Sequence, residues 1–353
     1  MSEPREIVLA GHICIDIATD LADFETLRPG ALVEVGRAGW SIGGTIANTG
    51  GTLSELGVPI RIAGAISEDE LGRTARSSLT AKGMPENGLQ TSAAAGTSYS
   101  IVLQADGTDR SFLHYPGANA FFDPAEVDVS DASLVHFGYP SLMAGMLKDA
   151  GQPIRAFLER AHAAGATTSL DLAVVDPSSS VASLDWAQIF ANILPAVDFA
   201  SPSIDDLTSA LGIDEPFSIE LVERLATSLI DQGVAVVALS AGANGVFVKT
   251  DAPERLRRGG LLLAELAEDW GNSELWQPPL PVKSWTSTNG AGDALTAGFL
   301  YSLWNGLPLP DAARTAAASA AIRMQSETAT PDALAHMLEQ HPAVPPRQPL
   351  EDS

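Results

Sequence analysis

Short apolar runs rich in β-branched residues recur along this chain, and segments with helical periodicity lie between them. "EIVLAGHICIDIA" (6–18) reads as a buried first strand, and "IRIAGAIS" (60–67), "SLVHFGY" (133–139), "ATTSLDLA" (166–173) and "VDFASP" (197–202) read as later ones. "ANTGGTLSELG" (47–57) reads as a helix ending at Gly57, and "DELGRTARSSLTAKG" (69–83) as a second one stopped by Gly83. Strands that alternate with helices predict an α/β fold, a parallel sheet with helices on both faces. "GVAVVALSAGANGVFV" (233–248) adds a strand, a glycine turn and a return strand, which would make the sheet mixed.

Two stretches break the alternation. "TSYSIVLQADGTDRSFLHYPG" (97–117) holds two alternating runs joined by a polar Asp106-Gly107 turn, the pattern of a hairpin. With the segment at about 18–42 it is expected to form a small second sheet, a lid over the mouth of the main one. Residues 251–277 read as an insertion with a short helix at 260–268, braced by Trp270, Trp276 and Trp285. A length of 353 residues permits one large domain or two modest ones. The pattern is that of a single domain over 1–340, followed by a loose Pro-rich tail at 341–353.

"STNGAGDALTAGF" (287–299) places three small residues against an acid where a helix should begin. Leu295, Phe299, Leu300 and Leu303 share one face of a helix over Ala294–Trp304, and "VKSWTST" before it is strand-like. Gly290, Ala291 and Gly292 therefore belong to a strand-to-helix turn, where the backbone can approach a ligand closely. Free amides at a helix start suit an anion such as phosphate. Asp293 has two readings there: a helix N-cap, or a general base beside a bound phosphate. No Walker sequence is present, and no clear G-x-G-x-x-G follows the first strand.

Net charge is −24, and the only lysines are Lys82, Lys148, Lys249 and Lys283. Such a surface repels nucleic acid and anionic membranes, so neither is expected as a partner. Cys14 is the only cysteine, which excludes an internal disulfide and a cysteine zinc site and suits a reducing cytoplasm. The N-terminus does not read as a secretory signal, and no apolar run reaches membrane-spanning length. His12, His114, His136, His162, His336 and His341 show no metal-ligand spacing.

Residues 287–293 resemble the C-terminal signature of the ribokinase-like (PfkB) carbohydrate kinases, D-T-x-G-A-G-D. "GGTIAN" (43–48) resembles that family's glycine pair followed by an asparagine at the start of a helix. Asp16 stands where the family often places a sugar-binding acid, and "HYPGAN" (114–119) looks like its Gly-Ala-Asn after the lid hairpin. "LSAGANG" (239–245) is similar to its nucleotide-binding glycine turn. The ordered set runs from about residue 6 to 340.

The resemblance implies a ribokinase-like sheet with a small β lid. It also implies ATP- and Mg2+-dependent phosphorylation of a hydroxyl on a sugar or nucleoside, pseudouridine included. Asp293 would be the base, and the amides of Gly290, Ala291 and Gly292 the anion hole. Asp16, Gly43, Gly44, Asn48, Asn119 and Arg110 would meet the acceptor; Asp206, Ser240, Gly242, Gly245 and Asn289 would serve the nucleotide. Each has a structural alternative: a strand end for Asp16, a turn and helix start for Gly43, Gly44 and Asn48, a lid turn for Asn119, a solvated hairpin for Arg110. Asp171 suits structure better, because Ala173 and Val175 replace the later members of a related D-x-N-x-R pattern.

Departures narrow the expectation. The family's first signature Asp, which helps several members bind a monovalent cation, is Ser287 here. Its N-x-x-E motif falls at Ser203–Asp206, so Asp206 keeps an acid of shorter reach and any link to magnesium through it is indirect. Thr45 replaces the ribokinase-type Lys, and Cys14 the ribokinase-type Asn. These changes point away from ribose and from a phosphorylated sugar, toward an unphosphorylated sugar with a nucleoside as the alternative; Arg37 and Arg110 remain able to meet a phosphate. Ser287 and Ser203 also motivate a different class, a catalytically silent sugar-binding protein. The resemblance further implies a homodimer joined through the lids.

Overall fold

The apolar run at the N-terminus supplies two strands of two different sheets, not one strand. In the computed structural model, which describes residues 6–105, 111–282 and 288–342, β1 (Glu6–Gly11) ends at a glycine with φ 140°. The chain then crosses at His12 and Ile13 into β2 (Cys14–Leu21). The order continues with β3 (Gly39–Gly43), α1 (Thr45–Glu55), β4 (Ile60–Ile66), α2 (Glu70–Ala81), β5 (Leu89–Thr91), β6 (Tyr99–Ala105), β7 (Ser111–Tyr115) and β8 (Ala132–Gly138). Next come α3 (Lys148–Ala163), β9 (Thr167–Asp171), α4 (Trp186–Ile193), β10 (Phe199–Ala200), α5 (Ile204–Leu211), α6 (Ile219–Asp231), β11 (Val236–Ser240) and β12 (Val246–Thr250). The last elements are α7 (Pro253–Leu256), α8 (Gly260–Glu265), α9 (Ala267–Trp270), β13 (Glu274–Gln277), α10 (Ala291–Asn305), α11 (Leu309–Met324) and α12 (Pro331–Gln340).

The main sheet has nine strands in the order β13-β12-β11-β10-β9-β8-β1-β4-β5. Every pair from β11 to β5 is parallel, and β12 and β13 are antiparallel additions. Period-two alternation feeds both faces: Val8 and Ala10 of β1 pack with Phe157 of α3, Phe190 of α4 and Leu225 of α6. Ile7 and Leu9 pack on the other side with Leu53 of α1, Leu79 of α2 and Phe299 of α10. Helices on both faces are what the alternation required.

The segment at 251–277 is built into this core. β13 extends the sheet beside β12, and Trp270, 0% exposed, donates its indole N–H to Leu307 O at 2.9 Å. Trp276 packs against Phe247 with its ring tilted by 41°, whereas Trp285 and the Asp106-Gly107 turn lie outside the described residues.

Strand order reverses between β1 and β8, and the crevice outside the carboxyl ends at such a point is where open α/β sheets bind ligands. Gly11 and Gly138 pair there. A Cβ on Gly138 would lie 2.3 Å from Thr45 Oγ1, so the bare glycine lets the first turn of α1 settle on the switch point. The second sheet, β3-β2-β6-β7, has four strands and begins at Cys14, earlier than the segment expected from the sequence. Its junction with the main sheet is tied by Asn119. That amide donates to Ile13 O at 2.9 Å and Pro116 O at 3.2 Å, and accepts from Ile13 N at 3.2 Å.

Candidate active site

The glycines at 290 and 292 start α10 three residues earlier than the apolar spacing suggested, at Ala291 instead of Ala294. Gly290 is the N-cap in the left-handed region, φ 75° and ψ 10°, a conformation that favours a residue without Cβ. Asp293 therefore lies inside the first turn and does not cap it. The Ala291 N–H bonds Thr288 O at 3.2 Å, while the Gly290, Gly292 and Asp293 amides have no partner among the described residues. The donors available to an anion are these three, so the amide of Ala291 drops out of the expected set.

The Asp293 carboxylate is only 5% exposed, beneath a turn whose Thr288, Asn289 and Gly292 are exposed. Three distant side chains hold it. Its Oδ1 accepts from Tyr139 OH at 2.7 Å and Thr49 Oγ1 at 3.0 Å, and its Oδ2 from Asn48 Nδ2 at 3.1 Å. Burial pushes its pKa up; the bonds from Tyr139, Thr49 and Asn48 and the charge of Arg323 oppose that rise. A carboxylate raised in this way is a better proton acceptor at working pH. Tyr139 reaches it from the end of β8 with φ 65° and ψ 49°, an uncommon conformation for a bulky residue. Neither Thr49 nor Tyr139 was marked by the sequence, although Thr49 adjoins Asn48 of the glycine-pair motif.

Two more buried carboxylates share this edge. Asp171, at the end of β9, accepts from Leu172 N at 2.8 Å, and burial followed by the charges of Asp206 and Asp293 pushes its pKa well up. Asp206 forms a reciprocal cap with Ser203 at the start of α5: Ser203 N donates to Oδ2 at 2.8 Å, and Asp206 N donates to Ser203 Oγ at 3.0 Å. Burial pushes Asp206 up to about 6. Among the described residues no three His, Cys, Asp or Glu side chains converge to hold a metal ion. A magnesium ion brought in on nucleotide phosphates needs only one or two carboxylates through water, and Asp206 and Asp171 fit that lesser role.

The Asp206 pKa has a consequence for stability. The folded state holds this proton at a pH where the unfolded chain has released it, so stability falls as pH rises from about 4 to 6 and stays lower above. Asp206→Asn keeps an acceptor for Ser203 N and removes the charge. Calorimetry without nucleotide is expected to show a melting temperature raised by roughly 2–8 °C at pH 7.5, and a flatter dependence between pH 4 and 6. A lower melting temperature at pH 7.5 would contradict the burial argument.

On the lid side, Asp16 of β2 is half-buried, and the Cys14 thiol donates to its Oδ1 at 3.3 Å. Burial, then the Asp16 charge, pushes that thiol well up, so it stays protonated. A Cβ on Gly43 would lie 2.3 Å from Asp16 Oδ2; the glycine is what admits the carboxylate. Gly44, the N-cap of α1, packs against His12 O. The His12 and His114 rings stand 5.1 Å apart, both held below the ordinary histidine range mainly by burial and hence neutral. His12 Nδ1 and His114 Nε2 have no hydrogen-bond partner among the described residues.

On the opposite side, Ser240 ends β11 and bridges to Ser203, which sets the Gly242–Asn244 turn beside Asp206. Space is open at Gly242, whereas a Cβ on Gly245 would strike Gln277 O at 2.2 Å. The close approach of β13 is thus one reason for a glycine at 245. Asn289 O accepts from Arg323 Nε at 3.4 Å. Asn119, expected at the acceptor, is 0% exposed and spends its amide on main chain. Arg110 and Ser287 lie outside the described residues, and Arg37 is exposed.

The family model described as pfkB family carbohydrate kinase matches residues 5–335. A probable fructokinase-7 from Arabidopsis thaliana is 27% identical over 280 residues, covering 76% of this chain and 71% of the relative. A ribokinase from Haemophilus influenzae is 21% identical over 288 residues, covering 81% and 82%. Among solved structures, Arabidopsis thaliana ribokinase complexed with ribose and ATP superposes with TM-score 0.75 at 18% identity, over 95% of this chain and 99% of that one. A nucleoside kinase of Methanocaldococcus jannaschii gives 0.69 at 18% identity, over 96% and 99%.

Proposed function

Because the chain belongs to the pfkB family of carbohydrate kinases, we propose that it transfers the γ-phosphoryl group of ATP to a hydroxyl of a small unphosphorylated sugar. The observation that carries this is the first turn of α10, where three amides with no partner among the described residues adjoin a buried carboxylate of raised pKa. Asp293 takes the proton of the acceptor hydroxyl, which attacks phosphorus in line while ADP departs. The amides of Gly290, Gly292 and Asp293 hold the transferring group by charge and geometry, which is most of what phosphoryl transfer asks of a protein. Magnesium, when bound, neutralises the phosphates. Asn48 and Thr49 keep the base oriented.

Asp16 and the neutral His114 orient the acceptor across from Asp293. Around Asp16 the structure sets a thiol and a glycine. A phosphate on the acceptor would meet a carboxylate there, so a neutral polyol fits better. One observation favours a nucleoside instead: the half-buried rings of His114 and Tyr139, backed by the buried His12 ring at 5.1 and 6.1 Å, offer an aromatic surface to a base.

An ADP-release screen over unphosphorylated sugars, sugar phosphates and nucleosides tests these readings. Turnover on a free sugar is expected. Preference for nucleosides would move the assignment to the second reading, and calorimetric sugar binding without ADP release from any acceptor would leave a silent binding protein. No helix of the described residues is long and apolar enough to cross a membrane.

The lid suggests how two copies meet. Trp40, at 72% exposure, and Phe112, Leu113 and Tyr115, at 50%, 57% and 40%, lie on its two edge strands. Edge strands with exposed apolar side chains seek a partner, and a second lid supplies one. Light scattering is expected to give a dimer, and Trp40→Lys with Leu113→Lys a monomer; a monomeric wild type at micromolar concentration removes the idea.

A further inference from the structure

We propose that Arg323 is a fixed cation built into the phosphate end of this site, so that nucleotide binding and turnover require no monovalent ion. The inference rests on the kinase assignment above. Arg323 is on the last turn of α11, half-buried, and its Nε donates to the main-chain oxygen of Asn289 at 3.4 Å. A Cβ on Gly290 would lie 3.2 Å from Nε and 3.6 Å from Nη2, so nothing separates the guanidinium from the turn that carries the free amides. Its charge also reaches Asp293.

The chain has 44 acids against 20 bases, and most of its arginines near the body of the fold are ion-paired. Arg323 forms no ion pair among the described residues, and neither of its terminal nitrogens donates a hydrogen bond there. α11 is fixed in this place by close packing: a Cβ on Gly298 of α10 would come 2.6 Å from Ala316 Cα. The backbone that carries the guanidinium is therefore fixed beside the turn.

This arrangement does not suit a resident monovalent ion. The carbonyl of Asn289, which could ligate one, already accepts from a cation, and Ser287 provides no carboxylate in the signature. A guanidinium there does the same electrostatic work permanently: its two unspent nitrogens donate charge-assisted bonds to the terminal phosphate of the nucleotide. A diphosphate lacks that group, so ATP should feel Arg323 and ADP should not.

The test uses titration calorimetry with MgATP and MgADP on wild type, Arg323→Gln and Arg323→Lys, in potassium, sodium and tetramethylammonium chloride at equal ionic strength. For wild type, MgATP affinity is expected to change less than about twofold among the three salts. Arg323→Gln is expected to weaken MgATP about tenfold or more and MgADP less than about twofold, with Arg323→Lys between. A wild type that loses about tenfold in tetramethylammonium, or an Arg323→Gln that binds MgATP normally, overturns the proposal. Equal losses for both nucleotides mark a structural role and overturn it too. These binding results do not depend on an acceptor, so a failed acceptor screen sinks the kinase assignment separately.

Discussion

Asp293→Asn is expected to lower turnover by about 10²–10⁴-fold, equivalent to about 3–5 kcal/mol of barrier, while MgADP binding stays near wild type. The two side chains are nearly the same size, so the packing survives. The Asn oxygen can still accept from Tyr139 and Thr49, and the Asn48 amide can turn its oxygen toward the new NH2 group. What is lost is the capacity to take a proton. Removing a buried charge also relieves desolvation, so the melting temperature should hold or rise. In the wild type, turnover should fall on the acid side as Asp293 is protonated, from a pKa above the usual carboxylate value. Near-normal turnover in Asp293→Asn, measured by ADP release, would remove Asp293 as the base.

Asn119→Ala is expected to destabilise the fold by about 2–4 kcal/mol, because it leaves Ile13 N and O without partners where no water reaches. The backbone at Ile13 pairs with neither sheet on that bond, since the chain is crossing from one to the other. A side-chain amide is among the few groups that can donate and accept there at once. Urea unfolding gives the measurement, and a cost under about 1 kcal/mol would show that water or a neighbour replaces the tie. Asn119→Asp should recover only part, since it keeps the acceptor for Ile13 N and loses the donors.

Periodicity in the chain made the layered sheet legible, because period-two burial on both faces of β1 leaves an apolar run that cannot be mistaken for surface. The same continuity hid the break at His12 and Ile13: an unbroken apolar run gives no sign of where a strand changes sheets. The start of α10 was misplaced for a local reason. Gly290 and Gly292 are poor helix formers, and only the left-handed cap at Gly290 shows that the helix begins at Ala291, ahead of Gly292. Gly245 and Asn119 match a motif and also answer packing and backbone needs, which look the same as ligand needs when seen as letters.

By itself the sequence determined the class of fold, the acidic character, and the turn at 290–293 where an anion and a base could meet, since spacing and residue type act over a few neighbours. Tertiary structure alone decided what that turn can do. The partners of Asp293 come from positions 154, 244 and 245 residues away, and Arg323 arrives on another helix. Burial and charge are set by whatever the folded chain brings close, and separation along the chain carries no information about that.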